Sequence, residues 1–354
     1  MNLKELGFNQ NIERLLENEI LEGFTLGRVI SEHKERYVVQ TESGSFNAEI
    51  TGNLRFTAES RADFPTVGDW VKVSVFDELA IILEVLPRFS LLERQAVGKF
   101  GETQPIASNV DVAFVMQAVG HDFNLNRLER YLIVCNTASI QPVIILSKID
   151  LISSEELSEL LSNLDKRLPS IPVIPISNQS LAGYDVLKSH LEPGKTYCIL
   201  GSSGVGKSSL VNNVLQSQKM AVSTISESTN KGRHTTSHRE LFILPEGGVI
   251  IDTPGMRELG IATEGDGIDQ TFSQITELAE QCRFGDCSHT EELGCAVLKA
   301  LETGVLDQEV FHNYHKLKRE QEHFSSTVYE RRAKDKKMGK LYKSIMKNKT
   351  DNKR

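Results

Sequence analysis

One stretch constrains this chain more than any other: Gly201-Ser202-Ser203-Gly204-Val205-Gly206-Lys207-Ser208. It fits the pattern G-x-x-x-x-G-K-[ST] with nothing missing. Glycines let the backbone turn tightly and aim its N–H groups at phosphate oxygens. Lys207 reaches toward the β- and γ-phosphates, and the Ser208 hydroxyl suits Mg²⁺. Residues 196–200 read as a short strand before the loop. Residues 209–215, starting at Ser209, read as a helix after it, whose positive N-terminal end would face the same anion. Strand, loop and helix together predict a nucleotide phosphate site.

The flanking chain decides which kind. Apolar runs at 111–116, 142–146, 173–176, 196–200, 240–244 and 248–252 read as strands. Helical spacing lies between them at 124–138, 153–167 and 180–192. Alternation of this kind predicts a mostly parallel sheet with helices on both faces and ligands at the strands' carboxyl ends. Three further motifs follow strands at once. Ser147-Lys148-Ile149-Asp150 resembles N-K-x-D, with serine replacing asparagine; a carboxylate at Asp150 accepts from guanine N1–H and its exocyclic amine. Ser177-Asn178 takes the place of a second base-contacting loop. Asp252-Thr253-Pro254-Gly255 matches D-x-x-G, which puts Asp252 near Mg²⁺ and the Gly255 N–H near a γ-phosphate.

Between loop and D-x-x-G, Gly232-Arg233-His234-Thr235-Thr236 supplies hydroxyls for a first switch, with Thr236 favoured over Thr235 as the second Mg²⁺ ligand. Met256 stands where a water-orienting glutamine is common. It is apolar, so His234 is the expected replacement, beside Lys207 and Thr236 in the catalytic set. A literal N-K-x-D at 348–351 has no strand before it and is set aside. Base-reading motifs thus precede the phosphate loop, and both switches follow it. The motif order predicts a circularly permuted P-loop GTPase domain over 96–265, using GTP with Mg²⁺.

Around it, residues 1–95 hold an amphipathic lead-in and about five short strand signals, at 24–30, 36–41, 46–50, 67–73 and 80–86, with 54–56 continuing the pattern. They predict an OB-type β-barrel. Residues 87–108 read as a linker broken by Pro87, Gly98, Gly101 and Pro105. Past the GTPase part, Cys282, Cys287, His289 and Cys295 offer three thiolates and an imidazole, the donor set of one structural Zn²⁺. That predicts a helical zinc-binding domain over 266–335 and a basic, disordered tail over 336–354. Five cysteines, an odd number with three beside one histidine, fit metal better than disulfides.

The net charge of −8 is uneven: residues 331–354 carry eleven Lys/Arg and two Asp, a tail of +9 on a body of −17. Attraction to nucleic acid is therefore confined to patches. No apolar run nears the ~18 residues that cross a membrane, and no leader-like segment opens the chain, so a cytoplasmic location is expected.

With these motifs in place the chain resembles the small-ribosomal-subunit-dependent GTPase A family, circularly permuted GTPases of bacterial ribosome biogenesis. The matching pieces are Gly68-Asp69-Trp70-Val71, Asn109-Val110-Asp111, the reordered GTPase motifs, Gly232-Arg233-His234-Thr235-Thr236, the run Cys282–His289 and Gly294-Cys295-Ala296-Val297. The resemblance covers roughly 20–330. It implies the same three domains, an α/β multidomain protein, and partners in the 30S subunit and its 16S rRNA. It also implies late maturation of the small subunit with subunit-stimulated hydrolysis of GTP to GDP by a monomer. Two other classes remain at this stage. One is an ATPase or kinase on the same loop, against which Asp150 argues. The other is a nucleotide-regulated RNA-binding scaffold with little turnover.

Overall fold

The structure is a computed structural model, and it describes residues 2–17, 19–20, 23–33, 36–96, 102–217, 239–253 and 265–325. The first switch (232–236), Pro254, Gly255, Met256 and the basic tail lie outside the described residues.

The N-terminal strands close into a barrel. β1 (Thr25–His33), β2 (Arg36–Thr41), β3 (Ser45–Ile50), β4 (Trp70–Phe76) and β5 (Leu79–Val85) run in the order β1-β2-β3-β5-β4, and β4 returns to pair with β1. β3 and β5 are parallel while the other barrel pairs are antiparallel. Val29, Val39, Val71, Val73, Ala80 and Ile82 fill the interior with branched or small side chains that suit a narrow barrel. The run 54–56, expected as strand, lies instead in helix α2 (Gly52–Thr57), capped by Thr51 through Leu54 N at 3.1 Å. The cap outweighs the apolar alternation, because the side-chain oxygen satisfies an end N–H that a strand there would leave open. Before the barrel come a 3₁₀ turn, Leu3–Leu6, and helix α1 (Gln10–Leu16), whose apolar side chains cover Trp70.

Residues 87–108 are not the irregular linker expected. β6 (Leu91–Gln95) and β7 (Thr103–Ser108) pair antiparallel and bury Leu92, Ile106 and Ala107. Pro105 is tolerated because this sheet has only two strands, leaving its missing N–H on an edge.

The central sheet runs β10 (Val173–Pro175), β9 (Gln141–Ser147), β8 (Val112–Ala118), β11 (Thr196–Leu200), β13 (Val249–Asp252), β12 (Arg239–Ile243). The first five are parallel and β12 is antiparallel. Alternation assigns each face: in β8, Ala113 and Val115 pack on one side, Phe114 and Met116 on the other. α3 (Leu125–Thr137) and α4 (Ser154–Arg167) cover the first face; α5 (Tyr184–Ser189) and α6 (Lys207–Leu215) cover the second. α5 is shorter than the 180–192 read from the sequence. The barrel and this sheet are continuous, because β1 pairs with β12 through Ser31–Glu240 and Glu32–Arg239. The junction is packed around Arg28, fully buried, which donates to Leu6 O, Gly68 O and Thr196 Oγ1. Burial lowers its guanidinium to about 10, offset in part by Asp111 and Asp69. Asp69 in turn pairs with Arg88 (2.6 Å), and Asn109 Nδ2 donates to Gly68 O (3.2 Å). The Gly68-Asp69-Trp70-Val71 and Asn109-Val110-Asp111 motifs therefore hold the barrel on the sheet.

The last helices are α7 (Gly267–Thr271), α8 (Ser273–Ala279), α9 (Ala296–Glu302) and α10 (Gln308–Ser325), with their own core of Ile268, Phe272, Ile275, Val297 and Leu317. They dock on α3. Glu129, 1% exposed, accepts from Arg167 (2.7 Å) and Asn313, and Arg130 pairs with Glu320 (2.7 Å). Among the described residues no helix is long and apolar enough to cross a membrane.

Candidate nucleotide and metal sites

The phosphate loop joins the central strand β11 to α6, so its position in space is central although its motif comes late in the chain. Two glycines explain its shape. Gly201 has φ 155°, and a Cβ there would meet Met116 O at 2.4 Å. Gly206 has φ 101°, and a Cβ would meet Asn178 Nδ2 at 2.4 Å. A side chain at Gly201 would push the loop off the β8 backbone, and at Gly206 the positive φ would strain any residue with a Cβ. α6 begins at Lys207, directly after Gly206, so its free N–H groups open into the loop. Lys207 Nζ donates to Gly201 O and Ser202 O, both at 2.8 Å. Ser203 and Gly204 lie at the outer edge, Val205 is buried, and Ser208 and Ser209 are half-buried on the first helical turn.

The Ser147-Lys148-Ile149-Asp150 turn is tied to this loop. Ser147 is fully buried, and its hydroxyl donates to Val205 O at 2.7 Å, with Gln117 O farther off at 3.2 Å. A hydroxyl has one proton, so the shorter contact holds it. Lys148 follows in a left-handed conformation (φ 61°), and a 3₁₀ turn carries Asp150 to the surface. Ser177 Oγ accepts from Gln179 N and Ser180 N, which shapes its loop. Asn178 Nδ2 donates to Gly206 O at 3.0 Å, while its Oδ1 accepts from Tyr184 OH at 2.7 Å. Asn213 of α6 closes this network through Asn178 O and Tyr184 OH. Tyr184 and Asn213 had no motif to announce them, because they act through the loop's scaffold.

Asp252 ends β13 beside Ile199 of β11 and is 2% exposed. Burial raises its carboxyl to about 6; Lys207 pulls it down and Glu240 pushes it up. Among the described residues its Oδ2 has no hydrogen-bond partner. A buried, unpaired carboxylate oxygen next to a phosphate loop fits a hard divalent cation or its water. Thr253, fully buried, donates to Ile199 O and ties the end of β13 to β11. The expected partners His234, Thr235, Thr236 and Gly255 lie outside the described residues.

The second site is the cluster Cys282, Cys287, His289 and Cys295, whose ligand atoms all lie within 4.8 Å of one another. Cys282 Sγ is 3.8 Å from Cys295 Sγ, and His289 Nδ1 is 3.4 Å from Cys295 Sγ. Ligands at ~2.3 Å from a tetrahedral ion sit roughly 3.8 Å apart, so the cluster has the span of one Zn²⁺. Ala296 N and Leu298 N donate to Cys282 and Cys295 sulfurs, both at 3.4 Å, and the Ala296 bond favours thiolate at Cys282. The four residues fit one structural zinc.

Comparison with known proteins agrees with this geometry. The family model described as RsgA GTPase matches residues 85–262. A Vibrio parahaemolyticus protein, small ribosomal subunit biogenesis GTPase RsgA 2, is 39% identical over 98% of this chain and 93% of its own length. A Bacteroides thetaiotaomicron protein, small ribosomal subunit biogenesis GTPase RsgA 1, is 38% identical over 99% and 98%. Among solved structures, YjeQ from Thermotoga maritima matches with a TM-score of 0.64 at 25% identity, covering 84% of this chain and 98% of that one. YloQ, titled a circularly permuted GTPase, matches with a TM-score of 0.61 at 26% identity, covering 88% and 100%. With its reordered strands, phosphate loop and Cys₃His cluster, the chain belongs to the RsgA family of GTPases.

Proposed function

We propose that the protein hydrolyses GTP to GDP and phosphate, is stimulated by the 30S ribosomal subunit, and acts late in maturation of that subunit. The observation that carries the reading is the 2.7 Å bond from Ser147 to Val205 O, which locks a guanine-type turn against a phosphate loop. Relatives named as small ribosomal subunit biogenesis GTPases over nearly the whole chain support the rest.

In this reading the loop N–H groups and Lys207 bind the β- and γ-phosphates and neutralise charge as the γ-phosphoryl leaves. Asp150 accepts from guanine, Lys148 covers the base, and Ser147 and Asn178 hold the loop they touch. Ser177 shapes the second base loop. Ser208, Thr236 and Asp252 would hold Mg²⁺, with Thr235 the other hydroxyl on offer. When bound, Mg²⁺ supplies positive charge to the phosphate oxygens. The Gly255 N–H meets the γ-phosphate. His234 orients the attacking water, a task Met256 cannot perform. Four residues, Cys282, Cys287, His289 and Cys295, hold Zn²⁺ and shape the C-terminal domain. The working units are a barrel over 1–95, the GTPase domain over 96–265, the zinc domain over 266–335 and a basic tail. The protein works as a cytoplasmic monomer on 16S rRNA.

The test is GTP turnover by wild type and His234→Ala, with and without 30S subunits. Wild type should accelerate on adding subunits, and His234→Ala should lose about 10²-fold or more of the stimulated rate while still binding GTP. If 30S subunits bind tightly without accelerating turnover, the protein is a scaffold and the enzyme reading falls.

A further inference from the structure

A cavity of about 610 Å³ lies between α10, the His289-Thr290 segment of the Cys₃His knuckle and Leu298 of α9. Phe311, His312, His315, Lys316 and Arg319, at spacings of three and four that place them on one side of the helix, line one wall together with Glu320. His289, Thr290 and Leu298 line the other. The size falls within the ~300–1,000 Å³ of small-ligand sites.

Charge on this helix is sorted. Two of its acids are engaged: Glu320, which also lines the cavity, is held by Arg130, and Glu309 faces Arg167. Lys318 pairs with Asp269 on another side. Lys316 and Arg319, both exposed, have no ion-pair partner among the described residues. The cavity therefore keeps two uncommitted cations. Its deeper wall is aromatic: the Phe311 and His315 rings meet edge to face at 4.4 Å and 81°. Among the described residues, His315 Nε2 is buried with no hydrogen-bond partner, an unusual position for a polar atom.

We propose that this cavity binds one unstacked nucleotide of single-stranded RNA, with the phosphate between Lys316 and Arg319 and the base against Phe311 and His315. The inference rests on the ribosomal-subunit reading above and names a contact on this chain that serves it. Two cations beside a ring-lined recess suit a phosphate attached to a flat base. Duplex RNA keeps its bases stacked and would leave the recess empty. An acidic peptide would use the cations and have no use for the rings.

The experiment uses the full, zinc-loaded chain and a short single-stranded RNA carrying 2-aminopurine, titrated at several salt concentrations. Lys316→Ala/Arg319→Ala should weaken binding at least tenfold and lower the salt slope by about 0.7, the value for the one phosphate held between them. His315→Ala should abolish the 2-aminopurine signal with the salt slope kept. Basal GTP turnover should be unchanged in both. Lys4→Ala/Lys166→Ala removes two exposed charges elsewhere and should leave RNA binding within twofold. Equal weakening in that control, or an unchanged slope in Lys316→Ala/Arg319→Ala, overturns the proposal. So does AMP binding as tightly as the oligonucleotide in a Lys316- and Arg319-dependent way, which would make the site one for free nucleotide. A wild type that binds this RNA yet shows no 30S-stimulated turnover would count against the enzyme reading and leave the cavity assignment standing.

Discussion

Replacing Ser147 by alanine removes one oxygen and tests how the turn at 147–150 and the phosphate loop are coupled. The hydroxyl is fully buried and donates to Val205 O at 2.7 Å. Loss of the donor leaves a loop carbonyl without that partner, a cost of about 1–3 kcal/mol. Two places can receive the cost. If the loop keeps its geometry, the cost appears as stability, a fall of about 2–12 °C in the thermal midpoint at roughly 2–4 °C per kcal/mol for a unit of this size. If the loop relaxes instead, binding must restore it, and GDP affinity falls about 5- to 150-fold. Ser147→Cys keeps a weak donor of similar size and should fall between alanine and wild type. The assay is fluorescent GDP titration beside calorimetry on the same samples. A Ser147→Ala protein with wild-type affinity and a wild-type midpoint would refute the coupling, because neither state would then feel the loss.

Asp150→Asn should weaken GTP binding about tenfold to 100-fold and raise competition by ATP, since charge-assisted hydrogen bonds to guanine contribute about 1.5–3 kcal/mol; competition binding reads both. Cys282→Ser should lower bound zinc from one per chain toward none by elemental analysis and unfold α8 and α9 at lower temperature, as removing a ligand uncouples metal energy from folding. Glu129→Ala leaves Arg167 and Asn313 without their shared acceptor and should destabilise the docking of α10 on α3 by about 3–5 kcal/mol, read as faster amide exchange along α10. Burial raises the Asp111 carboxyl above its ordinary value, against the pull of Thr196 N–H and Arg28. The folded chain then binds that proton more readily than the unfolded one, so this group favours folding at low pH, and the benefit is lost as pH rises through its folded pKa. Asp111→Asn should accordingly gain midpoint relative to wild type as pH is raised from the acid side; a difference independent of pH would contradict the assignment.

Much of the molecule was legible in residues alone because the signals were local. The phosphate loop is one contiguous octapeptide, and Cys282, Cys287, His289 and Cys295 fall within fourteen positions. Strand alternation marked β8, β9 and β11 to within two residues. The motif order also announced the permutation. Two local readings failed for local reasons. Residues 54–56 alternate like a strand, but the Thr51 cap makes them helix. The glycines and prolines of 87–108 masked a hairpin whose core contacts are far away in sequence.

The phosphate loop, the base-type turn, the metal donors and the order in which they come were determined by sequence, since each depends on residues a few positions apart. Only the tertiary structure decided how they are joined. Ser147 meets Val205 across 58 positions, Arg28 meets Thr196 across 168, and β1 meets β12 to run barrel and sheet together. The cavity on α10 belongs to the same class: its cations are free because their acidic neighbours found partners elsewhere in the fold. Such pairings follow from which surfaces are buried together, and a linear pattern carries no record of that choice.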